Sequence, residues 1–181
     1  MLQTKFQILN LTIKPIFSMR SKNYFFLALF VFSLYACSKT SSNNTTRCVS
    51  TNGVPTTAEI DSVQRYLTSK SIVATKDSRG YFVETLGAGY GIDNPFPNSN
   101  VTVKYKGTLT NGTSFDSTAT GATATFGLGG VILGWQYAIP QMKKGAIINL
   151  YLPPSLGYGC SASNKIPASS ILIFRIELVN F

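Results

Sequence analysis

The chain has 181 residues, of which 44% are hydrophobic and 12% aromatic, enough for one packed domain with extensions. Its formal net charge of +9 comes without a basic cluster, so binding of nucleic acid has little support. The chain has no histidine, which excludes histidine-based hydrolase triads and disfavours a catalytic zinc site. Its seven acidic residues are scattered, which argues against the paired carboxylates of a glycosidase.

Residues 1–36 have the organisation of an export signal. Arg20 and Lys22 precede an apolar run over 24–36 that ends at Cys37. The run is well short of the ~20 residues that a membrane-spanning helix needs, so it predicts the core of a signal peptide. An uncleaved membrane helix is the alternative, and Met19 is an alternative start of translation.

The end of this run, 34–37, resembles the lipobox of bacterial lipoproteins. The resemblance implies that Cys37 is lipidated and becomes the mature N-terminus on the periplasmic face of a bacterial envelope. Ser38 at the second position predicts the outer membrane by the sorting rule of many Gram-negative lipoproteins. The polar tract that follows has no apolar periodicity and is typical of a flexible tether.

Cys48 and Cys160 are the two remaining cysteines. Because an exported chain matures in an oxidising compartment, this even count predicts a disulfide between them. The bond would hold the N-terminal extension close to the C-terminal part of the chain.

Thr56 and Glu59 have the spacing of a helical capping box. The pattern predicts an amphipathic helix over 57–69, so that 37–79 comprises the tether and this helix. A helix of this length packs on another element, and we predict that it braces the following domain. A dimerisation helix is disfavoured because the apolar stripe is only two turns long. The stripe consists of Ile60, Val63 and Leu67.

Alternation of apolar and polar residues predicts five antiparallel strands, over 80–85, 101–109, 115–117, 146–152 and 172–178. Asn111 and Gly112 form a hairpin signal between the second and third strands. The glycines over 87–91 lack the spacing of a nucleotide-binding loop, and we predict a turn there. A short helix is predicted over 135–142, which Pro140 distorts or restricts to a loose turn. The fold class is therefore α+β.

Three further motifs occur in one order: V-I-L-G-W from Val131, M-K-K-G from Met142 and L-P-P-S-L-G-Y-G from Leu152. Their order and spacing resemble the FKBP-type peptidyl-prolyl isomerases. Upstream, 101–117 resembles the first half of that domain, and 166–178 resembles its last strand. The resemblance implies an isomerase domain over 80–181, with a curled antiparallel sheet of about five strands around one short helix.

The same resemblance implies the residues of a proline-binding pocket. Trp135 would form its floor, and Ile166 would close its rim. Ala124 stands where many members have a second pocket phenylalanine, so one wall is expected to be open. The expected walls are Tyr105, Phe115, Phe126, Val131, Ile132 and Phe174.

The resemblance also implies the polar groups of the site. The backbone N–H of Ile132 and the hydroxyl of Tyr158 would hold peptide carbonyls on either side of the isomerising bond. Asp116 would orient or polarise the carbonyl region. With the ring residues Tyr105 and Phe174, Asp116 and Tyr158 form the expected catalytic set.

Prolyl isomerisation suits a site that has no base. Rotation of an X-Pro bond breaks amide resonance, with a barrier of ~18–20 kcal/mol, but transfers no proton and forms no covalent bond. The planar amide is more dipolar than the twisted transition state, so an apolar pocket disfavours the ground state more. A hydrophobic site can therefore accelerate the rotation.

The resemblance thus implies a peptidyl-prolyl cis-trans isomerase that assists the folding of exported proteins. It would bind proline-containing segments of unfolded chains, as a monomer, without metal or cofactor. A non-catalytic peptide-binding or chaperone lipoprotein on the same fold is the alternative, since Ala124 and Pro140 could weaken turnover and leave binding intact. Fold alone does not separate the two functions.

Overall fold

A computed structural model describes residues 53–163 and 165–181. The predicted signal peptide, the predicted lipidation site Cys37, the predicted tether and Cys48 lie outside these residues. None of the helices in the described part is long and apolar enough to cross a membrane. Its elements are α1 Thr57–Ser69, β1 Thr75–Lys76, β2 Phe82–Tyr90, β3 Asn100–Leu109, β4 Ser114–Ser117, β5 Ala124–Gly127, α2 Leu133–Ala138, β6 Lys144–Leu152 and β7 Leu172–Asn180, with single 3-10 turns at Leu128–Gly130, Ile139–Gln141 and Pro154–Leu156.

The predicted N-terminal helix is confirmed with the same bounds as α1. The Glu59 N–H donates to Thr56 Oγ1 at 3.2 Å, and Glu59 Oε2 accepts the Thr56 N–H at 2.8 Å. This reciprocal capping box satisfies two N–H groups that the first helical turn leaves unpaired.

The strands form one antiparallel sheet in the order β1-β2-β6-β7-β3-β4, and β5 pairs with the N-terminal half of β3. The predicted α+β class is confirmed. The described part has seven strands where the sequence predicted five. The additional strands, β1 and β5, span two and four residues, too few for an alternating pattern to stand out.

One face of the sheet packs against α2 and forms the main core. On β7 the predicted inward residues are all buried: Leu172, Phe174, Ile176 and Leu178. The opposite face is covered by α1, whose Val63 and Leu67 pack with Phe82 and Tyr151. Tyr151 lies on the face of β6 opposite Leu150, yet it is only 2% exposed, because α1 covers it.

The turn predicted over 87–91 is wrong, because β2 continues through these glycines to Tyr90. Gly87, Ala88 and Tyr90 pair with Ile147, Ala146 and Lys144 of β6. An irregularity in register between Thr85 and Gly87 absorbs one residue. The strand therefore reaches the end of the sheet, beyond the predicted end at 85.

Pro140 restricts the central helix, as predicted. The α-helix ends at Ala138 and continues as one 3-10 turn over Ile139–Gln141. The helix begins at Leu133, two residues before the predicted start. Gly134 allows its close approach to β6, because a Cβ at this position would collide with the Leu152 side chain. This approach sets the depth at which the next residue, Trp135, sits in the core.

Candidate functional site

A cavity of about 300 Å³ opens between α2, the inner face of β3 and β7, and the loop after β6. Its lining is mostly aromatic and aliphatic, with one carboxylate and two tyrosine hydroxyls. The residues that line it are Tyr105, Phe115, Asp116, Phe126, Gly130, Val131, Ile132, Trp135, Tyr158 and Phe174. Such a composition suits an apolar ligand that is oriented by a few polar contacts.

Trp135 is the centre of an aromatic cluster at the floor of this cavity. The rings of Tyr105, Phe126 and Phe174 stand nearly perpendicular to it, with centroids at 5.2, 5.9 and 5.3 Å. Phe115 in turn contacts Phe174 edge to face at 5.4 Å. These T-shaped contacts fix each ring, so the walls of the cavity are preformed.

The backbone places these rings by strand pairing. β3 pairs with β7, and Gly107 on β3 lies opposite Phe174. A Cβ at Gly107 would lie 2.5 Å from the Phe115 ring and 2.9 Å from the Phe174 ring. Only a glycine leaves room for these two rings to meet over the strand.

The Tyr105 hydroxyl donates a 2.7 Å hydrogen bond to Asp116 Oδ2. The other carboxylate oxygen accepts the Ser117 N–H at 2.9 Å. Burial raises the pKa of Tyr105, and the hydrogen bond and negative charge of Asp116 raise it further. Tyr105 therefore keeps its proton at neutral pH, and Asp116 is held as an acceptor at the cavity edge.

The edge of the cavity near α2 offers a backbone donor. Among the described residues the Ile132 N–H has no hydrogen-bond partner. The Gln136 amide donates to the Val131 carbonyl at 2.7 Å. Because the N–H and C=O of a trans peptide point in opposite directions, this bond also fixes the direction of the Ile132 N–H. Gln136 is a site residue that the sequence reasoning missed.

Trp135 carries a second unpaired donor. Its side chain is 4% exposed, and its indole N–H is a buried donor with no hydrogen-bond partner in the described part of the chain. Buried tryptophan N–H groups are usually paired, since an orphan donor costs about 1–3 kcal/mol.

The structure brings together nine of the ten predicted pocket residues. Phe126 contacts both Tyr105 and Trp135 and forms part of the wall, whereas Ala124 does not line the cavity. Ile166 does not line the cavity, because its side chain is buried in the adjoining core at 6% exposure. Its expected place at the rim is thus not reproduced by the structure. The predicted residues on the wall are Tyr105, Phe115, Asp116, Phe126, Val131, Ile132, Trp135, Tyr158 and Phe174.

Residues 93–179 match the model of one protein family, described as FKBP-type peptidyl-prolyl cis-trans isomerase. The matched segment contains β3 to β6, α2 and nearly all of β7, and hence every residue that lines the cavity.

Two curated relatives illustrate the sequence similarity. FkpA of Buchnera aphidicola subsp. Schizaphis graminum, an FKBP-type peptidyl-prolyl cis-trans isomerase, is 44% identical over 119 residues, which are 65% of this chain and 46% of that protein. The peptidyl-prolyl cis-trans isomerase Mip of Coxiella burnetii is 45% identical over 105 residues, covering 57% of this chain and 45% of Mip. The chain therefore spans about half the length of these relatives.

Solved structures are also similar to this chain. The crystal structure of FkpA from Escherichia coli aligns with a TM-score of 0.60 and 35% identity, over 68% of this chain and 57% of that chain. A peptidyl-prolyl cis-trans isomerase from Pseudomonas syringae pv. tomato aligns with a TM-score of 0.59 and 29% identity, over 70% of this chain and 95% of that chain. The antiparallel sheet around a short helix is thus a fold shared with both.

Proposed function

We propose that this chain, which matches the FKBP-type peptidyl-prolyl cis-trans isomerase family over residues 93–179, isomerises X-Pro bonds in unfolded exported proteins. The observation that carries the proposal is the preformed aromatic cavity above Trp135. A proline ring inserted there would contact the indole face and be surrounded by apolar groups. The residue before the proline would be apolar as well, since Val131 and Ile132 line the adjoining edge.

Desolvation supplies the rate acceleration in this proposal. An X-Pro amide in water is stabilised by hydrogen bonds to its dipolar carbonyl, and the twisted transition state has less of this dipole. Transfer into the aromatic cavity therefore removes more stabilisation from the planar ground state than from the transition state. No base is required, which agrees with the absence of histidine from the sequence.

The polar groups at the cavity edge would orient the substrate. The Ile132 N–H and the Tyr158 hydroxyl are donors for the two peptide carbonyls that flank the rotating bond. Each hydrogen bond would position the peptide segment on its own side of the rotating bond. Asp116 would act through Tyr105 and the local field, as an acceptor that is already hydrogen-bonded.

The test is the acceleration of a proline-limited refolding reaction by catalytic amounts of the full chain. Substrate binding is read separately from the fluorescence of Trp135, the one tryptophan in the sequence. Faster refolding at substoichiometric concentration supports the isomerase. Binding of proline peptides without any acceleration would instead support the non-catalytic chaperone alternative.

The proposal extends to the location of the protein. A lipidated Cys37 would hold a monomer on the bacterial cell envelope, at the outer membrane and facing the periplasm. Its support is the order of basic residues, short apolar run and small residue before Cys37. Mass spectrometry of the N-terminal peptide tests it, and an unmodified Cys37 inside an intact signal would refute it.

A further inference from the structure

The first turn of α1 is hydrogen-bonded to the loop that carries Tyr158. Glu59 Oε1 accepts the Ser155 backbone N–H at 3.1 Å and the Ser155 hydroxyl at 2.7 Å. The other oxygen, Oε2, lies 2.8 Å from the same hydroxyl. Ser155 belongs to the 3-10 turn Pro154–Leu156 directly after β6, three residues before Tyr158.

The backbone between Ser155 and Tyr158 is held together by hydrogen bonds and packing, so a shift at Ser155 would also move Tyr158. The Pro154 carbonyl accepts the N–H groups of Gly157 at 2.9 Å and Gly159 at 2.8 Å, on either side of Tyr158. Leu156 is fully buried in the main core. Gly157 is also confined, because a Cβ there would lie 2.6 Å from the Leu172 side chain. The turn therefore moves as one unit.

Tyr158 itself has few restraints. It is 47% exposed, and its ring contributes one wall of the cavity. Its direction depends mainly on the backbone that carries it. The backbone before Tyr158 is held by the buried Leu156 and, through Ser155, by Glu59. The backbone at and after it accepts the Ser161 N–H at the Tyr158 carbonyl (3.1 Å) and the Ser169 N–H at the Gly159 carbonyl (2.9 Å).

We propose that Glu59 is a positioning residue for the site: through Ser155 it holds the Tyr158 hydroxyl where it can meet a peptide carbonyl. This inference rests on the proposed isomerase function. Glu59 lies outside residues 93–179, so the brace helix α1 would add a part of the site that the matched segment does not contain.

The carboxylate is chemically suited to this double contact. Glu59 accepts from the Thr56 N–H and hydroxyl as well as from the Ser155 N–H and hydroxyl. An ionised carboxylate has two oxygens and about four acceptor positions, whereas a glutamine amide has one acceptor oxygen. In Glu59→Gln the amide oxygen can still accept the Thr56 N–H of the capping box, but the NH2 group that then faces Ser155 cannot accept the Ser155 N–H.

The activity test is a double-mutant cycle in the full chain with Glu59→Gln and Tyr158→Phe. We expect Glu59→Gln to lower kcat/KM by about threefold to tenfold, the range that one or two hydrogen bonds supply, mainly through a higher KM. In the Tyr158→Phe background the same substitution should cause no further loss, because the hydroxyl that Glu59 positions is absent. Equal losses in both backgrounds would overturn the proposal.

Thr56→Ala is the matched control, since it weakens the cap of the same helix and leaves the Glu59 carboxylate available to Ser155. It should lower the melting temperature without changing kcat/KM. A readout independent of activity is hydrogen exchange at the Gly157 and Gly159 amides. We expect Glu59→Gln to reduce their protection and Thr56→Ala to leave it intact.

The exchange measurement separates the two proposals. If the wild-type chain failed to isomerise, the proposed function would fall, yet loss of protection at Gly157 and Gly159 would still support positioning by Glu59. Unchanged protection in Glu59→Gln would refute the positioning role even in an active enzyme.

Discussion

Tyr105 on β3 and Asp116 on β4 are joined by a 2.7 Å hydrogen bond from hydroxyl to carboxylate, which runs diagonally across the antiparallel pair because Asp116 itself lies opposite Gly107. Because the pKa of Tyr105 is raised, mainly by burial, the proton stays on the phenol at neutral pH. The carboxylate is exposed and is held by a second bond from the Ser117 N–H. The pair therefore orients groups at the cavity edge, and neither member acts as a free base.

Asp116→Asn should retain at least about a tenth of the wild-type kcat/KM. The substitution weakens one charge-assisted hydrogen bond to an exposed group, a loss of roughly 1 kcal/mol, and the proposed rotation needs no proton transfer. Refolding and peptide assays of the variant measure it. Complete loss of turnover with peptide binding intact would contradict the desolvation mechanism.

Phe126→Ala should lower kcat/KM by about tenfold, because it opens the wall next to Trp135 and admits water to the proline pocket. Phe96→Ala is the matched control. Phe96 is 78% exposed and lies outside the cavity, so its removal should leave activity unchanged. Thermal melts establish that both variants are folded. Equal activity of the two variants would show that the aromatic wall is not needed.

The strands that could be predicted from the sequence are those in which apolar and polar residues alternate regularly along the chain. On β7 and β3 the alternation is visible because one face packs on the core and the other does not. The α1 helix was recognisable from the capping box of Thr56 and Glu59. The continuation of β2 through its glycines was missed, because Gly87 and Ala88 are held by backbone pairing and give no side-chain signal.

Long-range contacts limited prediction of the site. Its aromatic residues were accessible through motif order, but no sequence pattern indicates the hydrogen bond between Glu59 and Ser155, which are 96 positions apart, or the one from Gln136 to the Val131 carbonyl. Ile166 was expected at the rim from its motif position, and the backbone carries its side chain into the core. Phe126, which pairs with Val101 of β3, lines the cavity, whereas Ala124, two residues before it on β5, does not.

Isomerase activity should be constant between about pH 6 and 9. The sequence has no histidine to titrate in this range, and burial together with Asp116 raises the pKa of Tyr105 above its usual 10.0. A pH profile of kcat/KM, with a substrate that does not titrate itself, is the measurement. A bell-shaped profile would reveal an essential acid or base and contradict the proposed mechanism.

Stability, in contrast, should fall above about pH 10. Burial, reinforced by Asp77, raises the pKa of Tyr81 from 10.0 to about 12, and burial also raises the pKa of Tyr105 and Tyr151. Below pH 10 both folded and unfolded chains keep these protons, so the free energy of unfolding retains the full contribution of these tyrosines. Between pH 10 and 12 the unfolded chain releases protons that the folded chain retains, which favours unfolding by up to about 1.4 kcal/mol per pH unit for Tyr81. Denaturant unfolding at several pH values tests this.

A peptide map under non-reducing conditions should contain a cross-linked pair of Cys48 and Cys160. Cys160 is disulfide-bonded, and Cys48 is its predicted partner, outside the described residues. Closure of a loop of about 110 residues stabilises by up to ~4–5 kcal/mol in the chain-entropy model, so Cys160→Ser should lower the free energy of unfolding by a measurable part of that. Two free thiols in periplasmic material would refute the pairing.

Gly107→Ala should displace two of the aromatic rings that line the cavity. The new methyl group would lie 2.5 Å from the Phe115 ring and 2.9 Å from the Phe174 ring, so both rings must move from their edge-to-face contact. We expect a loss of stability of about 1–3 kcal/mol and a fall in kcat/KM of about tenfold or more, since Phe174 also contacts Trp135. The fluorescence of Trp135 should report the displaced ring.

Gly129→Ala is the control for this substitution. Gly129 does not line the cavity, and the nearest atom to a Cβ there is Asn98 Oδ1 at 4.0 Å, an ordinary contact. The variant should keep the fold, the Trp135 emission and the wild-type kcat/KM. If Gly107→Ala matched this control in activity and in fluorescence, the ring contact over β3 would not define the pocket, and the proline site would have to be sought elsewhere on the sheet.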